Sequence, residues 1–240
     1  MLGGVGCTAT VANTESITAH SGGGTDSAKL YGNPTAVDTF EGRPCSSTLS
    51  GNGFSNRVES FRYVHAFGTE GNGDVALLYD RAGTKDRFEA TPVYARLYGD
   101  NFYNRAVQFD QAYGYGTPGD ADITLLYDDP GGKDTLQARP DRAKLAGAGF
   151  DNEAVSFRYV HAFGTPVSQD EAHLYDSALD QYPDYLEADA NWARLSNDLL
   201  GYAYWVREFE EVTANSSNPS DIKNVDPDAL DFILNGEEGW

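Results

Sequence analysis

The sequence predicts an all-β protein, a parallel β-solenoid (β-helix) with coils of about 24 residues and a short C-terminal capping helix. The heptapeptide FRYVHAF occurs at residues 61–67 and again at 157–163. The chain of 240 residues contains 26 Gly, 15 Tyr and 12 Phe, and frequent glycines among aromatic residues favour strands and turns over helices. A Leu-Tyr pair also recurs at a constant interval, at positions 30–31, 78–79, 126–127 and 174–175.

The 48-residue repeat that these pairs define divides into two equal halves. A 24-residue step from Leu30 always reaches a large apolar residue, namely Phe54, Leu78, Phe102, Leu126, Phe150 and Leu174. We therefore expect these side chains to stack on neighbouring coils, about 4.8 Å apart. In the segment DRFEA, at positions 86–90, the alternation predicts that Phe88 and Ala90 point inward while Arg87 and Glu89 point outward.

A second series with the same 24-residue step alternates between asparagine and aspartate: Asn56, Asp80, Asn104, Asp128, Asn152 and Asp176. One interpretation is a stacked ladder in which asparagine amides separate the like charges. The other is calcium binding in the turns DRAGTKD (80–86) and DDPGGKD (128–134), with Asp80, Asp86, Asp128 and Asp134 as metal ligands.

The net charge of −20, from 17 Lys+Arg and 37 Asp+Glu, argues against nucleic acid, anionic membranes and acidic polysaccharides as partners. It suits solubility in salt or the binding of cations, so Ca²⁺ is the one candidate cofactor. No apolar run reaches the length of a membrane-spanning helix, which predicts no membrane insertion. The opening MLGGVGCTAT lacks the features of a signal peptide, as expected of a trimmed mature protein or an excised domain.

The two ends of the solenoid are expected to be covered. Residues 1–25 are predicted to form an incomplete coil, residues 26–214 the repeats, and residues 215–240 a linker and cap. Cys7 and Cys45 are compatible with one disulfide that staples the N-terminal coil, or with two separate thiols. The stretch DPDALDFILNG (226–236) is predicted to be the capping helix, with Asp226 as N-cap and Gly236 as stop.

Outward positions of the predicted coils form a face of aromatic, histidine, glutamate and arginine residues. The candidate ligand-binding residues on this face are Arg43, Tyr63, Phe67, Arg87, Tyr113, Tyr115, Tyr159, His161 and Phe163. The alternative is catalysis of the kind found in polysaccharide-active β-helices, with Glu41, His65 and Glu89 doing acid–base work. Cross-strand Glu–His pairs and aromatic–Arg contacts are also ordinary packing, and an active site is normally singular whereas this pattern repeats.

The segment DVALLYDRAGTKDRFEATPVYARLYGDNFYNRAVQF (74–109) resembles a tandem repeat with the same 48-residue period and the signature LYDxxGxxDxF, in large secreted proteins of planctomycete-type bacteria. The resemblance covers residues 17–214 and implies an extracellular or cell-surface location. A weaker similarity, through GGTDSAKLYG (23–32) and GKDTLQ (132–137), is to the calcium-binding β-rolls of RTX proteins.

These observations predict a secreted, non-enzymatic β-solenoid module with a structural, adhesive or fibre-forming role and Ca²⁺ as a candidate stabiliser. The alternative is a lyase, epimerase or hydrolase that acts on a polysaccharide across the aromatic face. The expected partners are a polysaccharide or further copies of the chain.

Overall fold

A computed structural model describes residues 14–22, 24–166, 168–178 and 182–236, and these residues form strands and turns with no helix. The strands form two facing sheets of twelve and eleven strands, here called sheet A and sheet B. The chain passes back and forth between the sheets, and successive crossings add parallel neighbours, which confirms the predicted β-solenoid. Within the described ranges, no helix is long and apolar enough to cross a membrane.

Sheet A contains the strands β1, β3–β5, β7, β11, β13–β15, β17, β21 and β23. Their bounds are β1 Ser16–His20, β3 Asp38–Gly42, β4 Ser46–Gly51, β5 Phe54–Glu59, β7 Val75–Tyr79, β11 Gln111–Tyr115, β13 Thr135–Arg139, β14 Arg142–Gly147, β15 Phe150–Val155, β17 Glu171–Tyr175, β21 Glu211–Asn215 and β23 Ile233–Gly236.

Sheet B contains the remaining strands, in the spatial order β2-β6-β10-β9-β8-β12-β16-β20-β19-β18-β22. Their bounds are β2 Ser27–Tyr31, β6 Tyr63–Phe67, β8 Arg87–Ala90, β9 Tyr94–Gly99, β10 Phe102–Val107, β12 Ile123–Tyr127, β16 Tyr159–Phe163, β18 Tyr185–Ala190, β19 Trp192–Asn197, β20 Tyr202–Arg207 and β22 Ile222–Leu230.

Antiparallel three-stranded meanders interrupt the parallel ladders of both sheets. They consist of β3–β5 in sheet A, β8–β10 in sheet B, β13–β15 in sheet A and β18–β20 in sheet B. Two single strands separate one meander from the next. The 48-residue repeat is therefore a five-strand unit, and consecutive units place their meander on opposite sheets.

This alternation explains the distance between the two FRYVHAF copies. The first copy contains β6 and the second contains β16, and both strands lie in sheet B directly after a meander of sheet A. The degenerate copy FDQAYGY, at 109–115, contains β11 and lies in sheet A. An identical environment recurs only after two units, which is the interval between positions 61 and 157.

The predicted stacking of side chains 24 positions apart is wrong. Parallel partners are most often 36 positions apart, as for Phe40 and Ala76, or 40 apart, as for Val64 and Asn104, and elsewhere the separation ranges from 22 to 44. Leu78 lies opposite Gly42 and Gly114 and not Phe54. Side chains alternate between the two faces of a strand, so residues separated by an even number of positions can share the inward orientation. The 24-residue step therefore joins inward residues although one lies in a single strand and the next in a meander.

The alternating Asn/Asp series is likewise not one ladder. Asn104 and Asn152 lie inside β10 and β15, where their side-chain amides donate to the backbone carbonyls of Arg43 and Thr91 at 3.1 Å. The aspartates of the series lie in turns at the edge of the sandwich, after β7, β12 and β17. Each asparagine thus bonds to the first hairpin turn of the preceding meander, which lies between β3 and β4 for Arg43 and between β8 and β9 for Thr91.

The predicted capping helix at 226–236 is also wrong, because this segment forms β22 and β23. β22 pairs with β18 and β23 pairs with β21, which satisfies the backbone groups of the last strands. The register of β22 shifts between its pairs with Ala188 and Ala190, and Pro227 lies in the resulting bulge, where its missing N–H breaks no ladder bond. Cross-strand pairing thus overrides the local helix signals.

At the N-terminal side, β1 pairs in parallel with β5. Cys45 is exposed in the turn before β4, and Cys7 lies outside the described residues, so their disulfide stays a prediction. Between the sheets, inward residues interdigitate in a single core whose largest fully buried members include Phe40, Phe88 and Leu136.

Candidate metal sites at the aspartate turns

A turn that begins after the Leu-Tyr pair and ends in a buried aspartate occurs four times, and these terminal aspartates are Asp38, Asp86, Asp134 and Asp184. The Oδ2 atom of each accepts a hydrogen bond from an amide at the start of its own turn, as Asp134 does from Asp129 at 2.6 Å. The backbone amide of each also donates to a carboxylate of the next coil, as Asp134 does to Oδ1 of Asp170 at 2.8 Å.

At three of these turns, aspartates of the turn and of the next coil form a compact carboxylate cluster. Triad I consists of Asp80, Asp120 and Asp122, triad II of Asp128, Asp134 and Asp170, and triad III of Asp176, Asp184 and Asp221. One oxygen atom from each member lies within 4.8 Å of the others. Two ligands bound to one Ca²⁺ at about 2.4 Å are at most about 4.8 Å apart, so the spacing suits this ion.

Triad II lies almost wholly out of the solvent. Asp134 and Asp170 have no exposed surface and Asp128 is 8% exposed. Oδ1 of Asp128 accepts a bond from the hydroxyl of Thr165 at 3.0 Å, but its Oδ2 is buried with no donor. Burial and the adjacent carboxylate of Asp170 raise the pKa of Asp128 to about 7. Two buried carboxylates in contact require either a shared proton or a cation.

Triad I also contains a buried carboxylate oxygen that has no hydrogen-bond donor. Asp122 has no exposed surface, and its Oδ2 is buried without a donor. Burial, together with the carboxylates of Asp80 and Asp86, raises the pKa of Asp122 to about 7. Asp80 is held in place by the backbone amide and hydroxyl of Thr117, at 2.7 and 3.1 Å.

In triad III the protein itself supplies the missing donor. The hydroxyl of Tyr202 donates to Oδ1 of Asp184, and the amide and hydroxyl of Ser217 donate to Asp176. No side-chain oxygen of this triad is a buried atom without a partner, within the part of the chain that the structure describes. Tyr202 is the first residue of β20, at the position that Phe150 holds at the start of β15.

The turn at residues 32–38 lacks the first ligand. Gly32 stands where Asp80, Asp128 and Asp176 stand in the other turns, so only Asp38 and Asp74 approach each other there. Among the described residues there are therefore two triads in which a carboxylate oxygen lacks a donor, one triad with an internal donor, and one incomplete copy.

Three of the four predicted metal ligands lie in triads: Asp80 in triad I, and Asp128 and Asp134 in triad II. Asp86 is not a member, although its amide donates to Oδ1 of Asp122 at 2.7 Å. Sequence reasoning missed ligands that come from the adjacent coil or from the longer third turn, namely Asp120, Asp122, Asp170, Asp176, Asp184 and Asp221. The 48-residue interval between Asp122 and Asp170 was the available signal.

The predicted ligand-binding residues divide between the two sheets instead of sharing one face. Sheet B carries Tyr63, Phe67, Arg87, Tyr159, His161 and Phe163, and sheet A carries Arg43, Tyr113 and Tyr115. Several of these rings pack against rings of the adjacent coil, with centroids 4.9 Å apart in the stacks Tyr31–Phe67, Tyr79–Tyr115 and Tyr127–Phe163. Those ring faces contribute to cohesion between coils.

The residues of the catalytic alternative do not converge. Glu41 lies on sheet A, whereas His65 and Glu89 lie on sheet B, three strands apart, or roughly 14 Å. The cross-strand neighbours of His65 are Lys29 and Arg105, and those of Glu89 are Arg96 and Leu125. These three residues therefore do not place two acid–base groups at one scissile bond.

Comparison of the chain with protein-family models, curated proteins and solved structures gives no significant match. The aspartate triads and the exposed faces of the sheets are therefore the features that bear on function.

Proposed function

We propose that this chain is a non-enzymatic, calcium-stabilised solenoid module that acts as a structural or adhesive unit outside the cell. The observation that carries the proposal is Oδ2 of Asp128, which is buried beside Asp170 with no hydrogen-bond donor. A cation at this point would neutralise the paired carboxylates and fasten the turn to the next coil, because Asp134 and Asp170 belong to successive coils.

Triads I and II are suited to Ca²⁺ more than to Mg²⁺. Their ligands are carboxylate oxygens on turns, and Ca²⁺ accepts irregular oxygen coordination, whereas Mg²⁺ demands near-ideal octahedral geometry. Extracellular modules bind Ca²⁺ with dissociation constants of about 10⁻⁴ to 10⁻³ M, which fits an ion held by a few carboxylates and water. The extracellular location in the proposal rests on the resemblance of residues 17–214 to tandem repeats of large secreted bacterial proteins.

The proposal is tested by unfolding and calorimetry. Titration of metal-free protein with CaCl₂ should show two equivalents of bound Ca²⁺, for triads I and II. Ions at about 100 times the dissociation constant at both sites should raise Tm by roughly 10–20 °C relative to EDTA. The variant Asp128→Asn should lose one equivalent and about half of the increase in Tm.

Asp141→Asn is the matched control, since it removes an exposed carboxylate that pairs with Arg142 at 3.2 Å outside the triads. It should keep both equivalents. An unchanged Tm between EDTA and CaCl₂ would refute calcium stabilisation, and equal losses in both variants would refute the assignment to triad II. Catalytic turnover of a polysaccharide by the purified protein would refute the non-enzymatic role.

A further inference from the structure

The outer surface of sheet B carries a cross-strand row of basic residues that the aspartate triads do not use. Five residues lie directly opposite one another on adjacent strands: Lys29 on β2, His65 on β6, Arg105 on β10, Arg96 on β9 and, as the one acidic member, Glu89 on β8. We call these five residues the basic row. It runs perpendicular to the strands, and so along the axis of the solenoid.

Within the basic row only Arg96 has a carboxylate partner, Glu89, at 2.6 Å. Arg105 lies opposite Arg96 and makes no ion pair with any described residue, and its Nε is buried without an acceptor. Burial and the charges of Arg105 and Lys29 lower the pKa of His65. Like charges placed opposite one another destabilise a sheet, so an anion bound beside Arg105 would relieve its repulsion with Arg96.

Sheet A shows the contrasting pattern. Its basic side chains are mostly paired with carboxylates on the same face, in the ion pairs Arg43–Glu41, Arg57–Glu59, Lys144–Asp151 and Arg142–Glu153. On sheet B, Lys29, Arg87, Arg105 and Arg207 make no ion pair with the residues that the structure describes. Although the net charge of the chain is −20, the strands of sheet B contain seven Lys or Arg residues against five Asp or Glu residues, a small basic excess.

Aromatic rings flank the basic row. Tyr103 lies 5.8 Å from Tyr63 and 5.9 Å from Tyr98, measured between ring centroids. The guanidinium of Arg105 lies 4.7 Å from the ring centroid of Tyr94. All four tyrosines are half-buried, so their rings stand at the surface of the sheet.

A second basic and aromatic group lies on the same sheet, around the later FRYVHAF copy. The rings of His161 and Trp205 stack at 4.8 Å with an angle of 2°, and Arg194 lies 4.6 Å over Trp205. His161 and Trp205, together with Phe163, Trp192 and Arg207, line a recess of about 260 Å³. β6 and β16 are five strand positions apart, so the two groups are separated by roughly 24 Å.

We propose that the outer surface of sheet B binds a linear anionic polysaccharide that runs along the solenoid axis. Its carboxylates or sulfates would pair with Lys29, Arg105, Arg87 and Arg207, and one sugar ring would stack in the Trp205 recess. These four cations lie on β2, β10, β8 and β20, which are two, two and three strands apart. Lys29 and Arg105 share one row, whereas Arg87 lies two residues before that row and Arg207 two residues after it, so successive cations are roughly 10, 12 and 20 Å apart. These separations are wider than those between nucleic-acid phosphates.

The test uses dextran sulfate, with dextran as the neutral polymer of the same backbone and oligo-dT as the phosphate polymer. Affinity is measured by calorimetry in CaCl₂ at low and high NaCl. The wild-type protein should bind dextran sulfate with an affinity that falls at least 10-fold with added salt. It should bind dextran and oligo-dT much more weakly. The variant Lys29→Gln/Arg105→Gln should lose at least 10-fold in affinity.

Arg139→Gln is the matched control, because Arg139 is a sheet A arginine that stacks on Tyr175 at 3.8 Å and makes no ion pair with any described residue. It should bind as the wild type does. Circular dichroism should show that both variants retain the β fold. Absent binding of dextran sulfate, equal binding of dextran, tighter binding of oligo-dT, or an equal loss in the control would each overturn the proposal.

Discussion

Oδ1 of Asp134 lies directly against Gly147, so closely that a Cβ atom on Gly147 would be 1.7 Å from it. Oδ1 of Asp86 has the same relation to Gly99, and Oδ1 of Asp38 to Gly51, with corresponding distances of 1.6 and 1.8 Å. Three of the four terminal aspartates thus occupy the space left by a missing side chain at the end of a meander strand, whereas Asn197 holds the corresponding position in β19. This relationship ties the turn to the meander that follows it.

We expect Gly147→Ala to destabilise the fold by about 2–3 kcal/mol, because Asp134 must leave its position and its hydrogen bonds. Gly131→Ala is the control, since its Cβ would lie 3.8 Å from the nearest atom, in the carboxylate of Asp129. That change should alter the free energy of unfolding by less than about 0.5 kcal/mol. Denaturant titration measures both values, and equal effects would contradict the argument.

Tyr202→Phe should convert triad III into a calcium-responsive site. Loss of the hydroxyl leaves Oδ1 of Asp184 without its donor, so the free energy of unfolding in EDTA should fall by about 1–2 kcal/mol. Added CaCl₂ should restore more stability in this variant than in the wild type. An identical calcium response in the two proteins would count against the donor role of Tyr202.

The reciprocal change is Phe150→Tyr. Cε1 of Phe150 would lie 2.6 Å from a Cβ on Gly147, beside Oδ1 of Asp134, so a hydroxyl there can donate to this oxygen. We expect higher stability in EDTA and a smaller rise in Tm on addition of CaCl₂. A lower Tm in EDTA with an undiminished calcium response would show that the hydroxyl does not reach Asp134.

Stability without metal should depend on pH through Asp122 and Asp128, whose pKa values rise from the ordinary 3.8 to about 7. Because the folded protein holds these protons more tightly, this contribution to stability is complete below about pH 4 and disappears as the pH rises through 7. In EDTA the free energy of unfolding should therefore fall by roughly 2–4 kcal/mol for each group across this range.

Measurement by denaturant titration from pH 4 to pH 8 tests this dependence. The variant Asp122→Asn/Asp128→Asn should show a flatter profile, and saturating CaCl₂ should restore the stability of the wild type at pH 7 to 8. A wild-type profile as flat as that of the double variant would disprove the shared-proton description of triads I and II.

The opposing sheets meet closely at Gly114 and Phe88. A Cβ on Gly114 would lie 2.5 Å from Cγ of the fully buried Phe88 ring, so Gly114→Ala should destabilise by about 2–3 kcal/mol. Phe88→Leu creates space, and the double variant should lose less stability than the sum of the two single variants. Strict additivity in denaturant titrations would show that the two residues do not share this space.

The repeat and the strand alternation made the solenoid predictable, because a fixed period of inward residues has few other solutions. The inward orientation of Phe88 and Ala90 was correct for the same reason. The meanders were not predictable from the period. A residue 24 positions further on faces inward again whether it lies in a single strand or in a hairpin, so the pattern looks the same in both cases. Phe54 and Leu78 illustrate this, as both lie in strands of sheet A but not as neighbours.

The site was predictable only where its residues lie in one turn. Asp128 and Asp134 are both in DDPGGKD and were found, whereas Asp170 comes from the next coil and depends on the 36-residue register. The helix predicted at 226–236 failed because its N-cap and stop residues serve equally in an edge strand with a bulge. Local signals cannot reveal that an open sheet edge is available.

The order β6-β10-β9-β8 in sheet B has a consequence for how the molecule assembles. After β7, the chain places β8 three positions beyond β6 and then returns through β9 and β10 to fill the gap. β8 therefore has no continuous connection to β6 within the sheet until both β9 and β10 are in place, and one winding cannot be added by itself. Folding should advance in cooperative blocks of five strands, and a nascent chain that stops inside a meander should remain vulnerable to proteolysis.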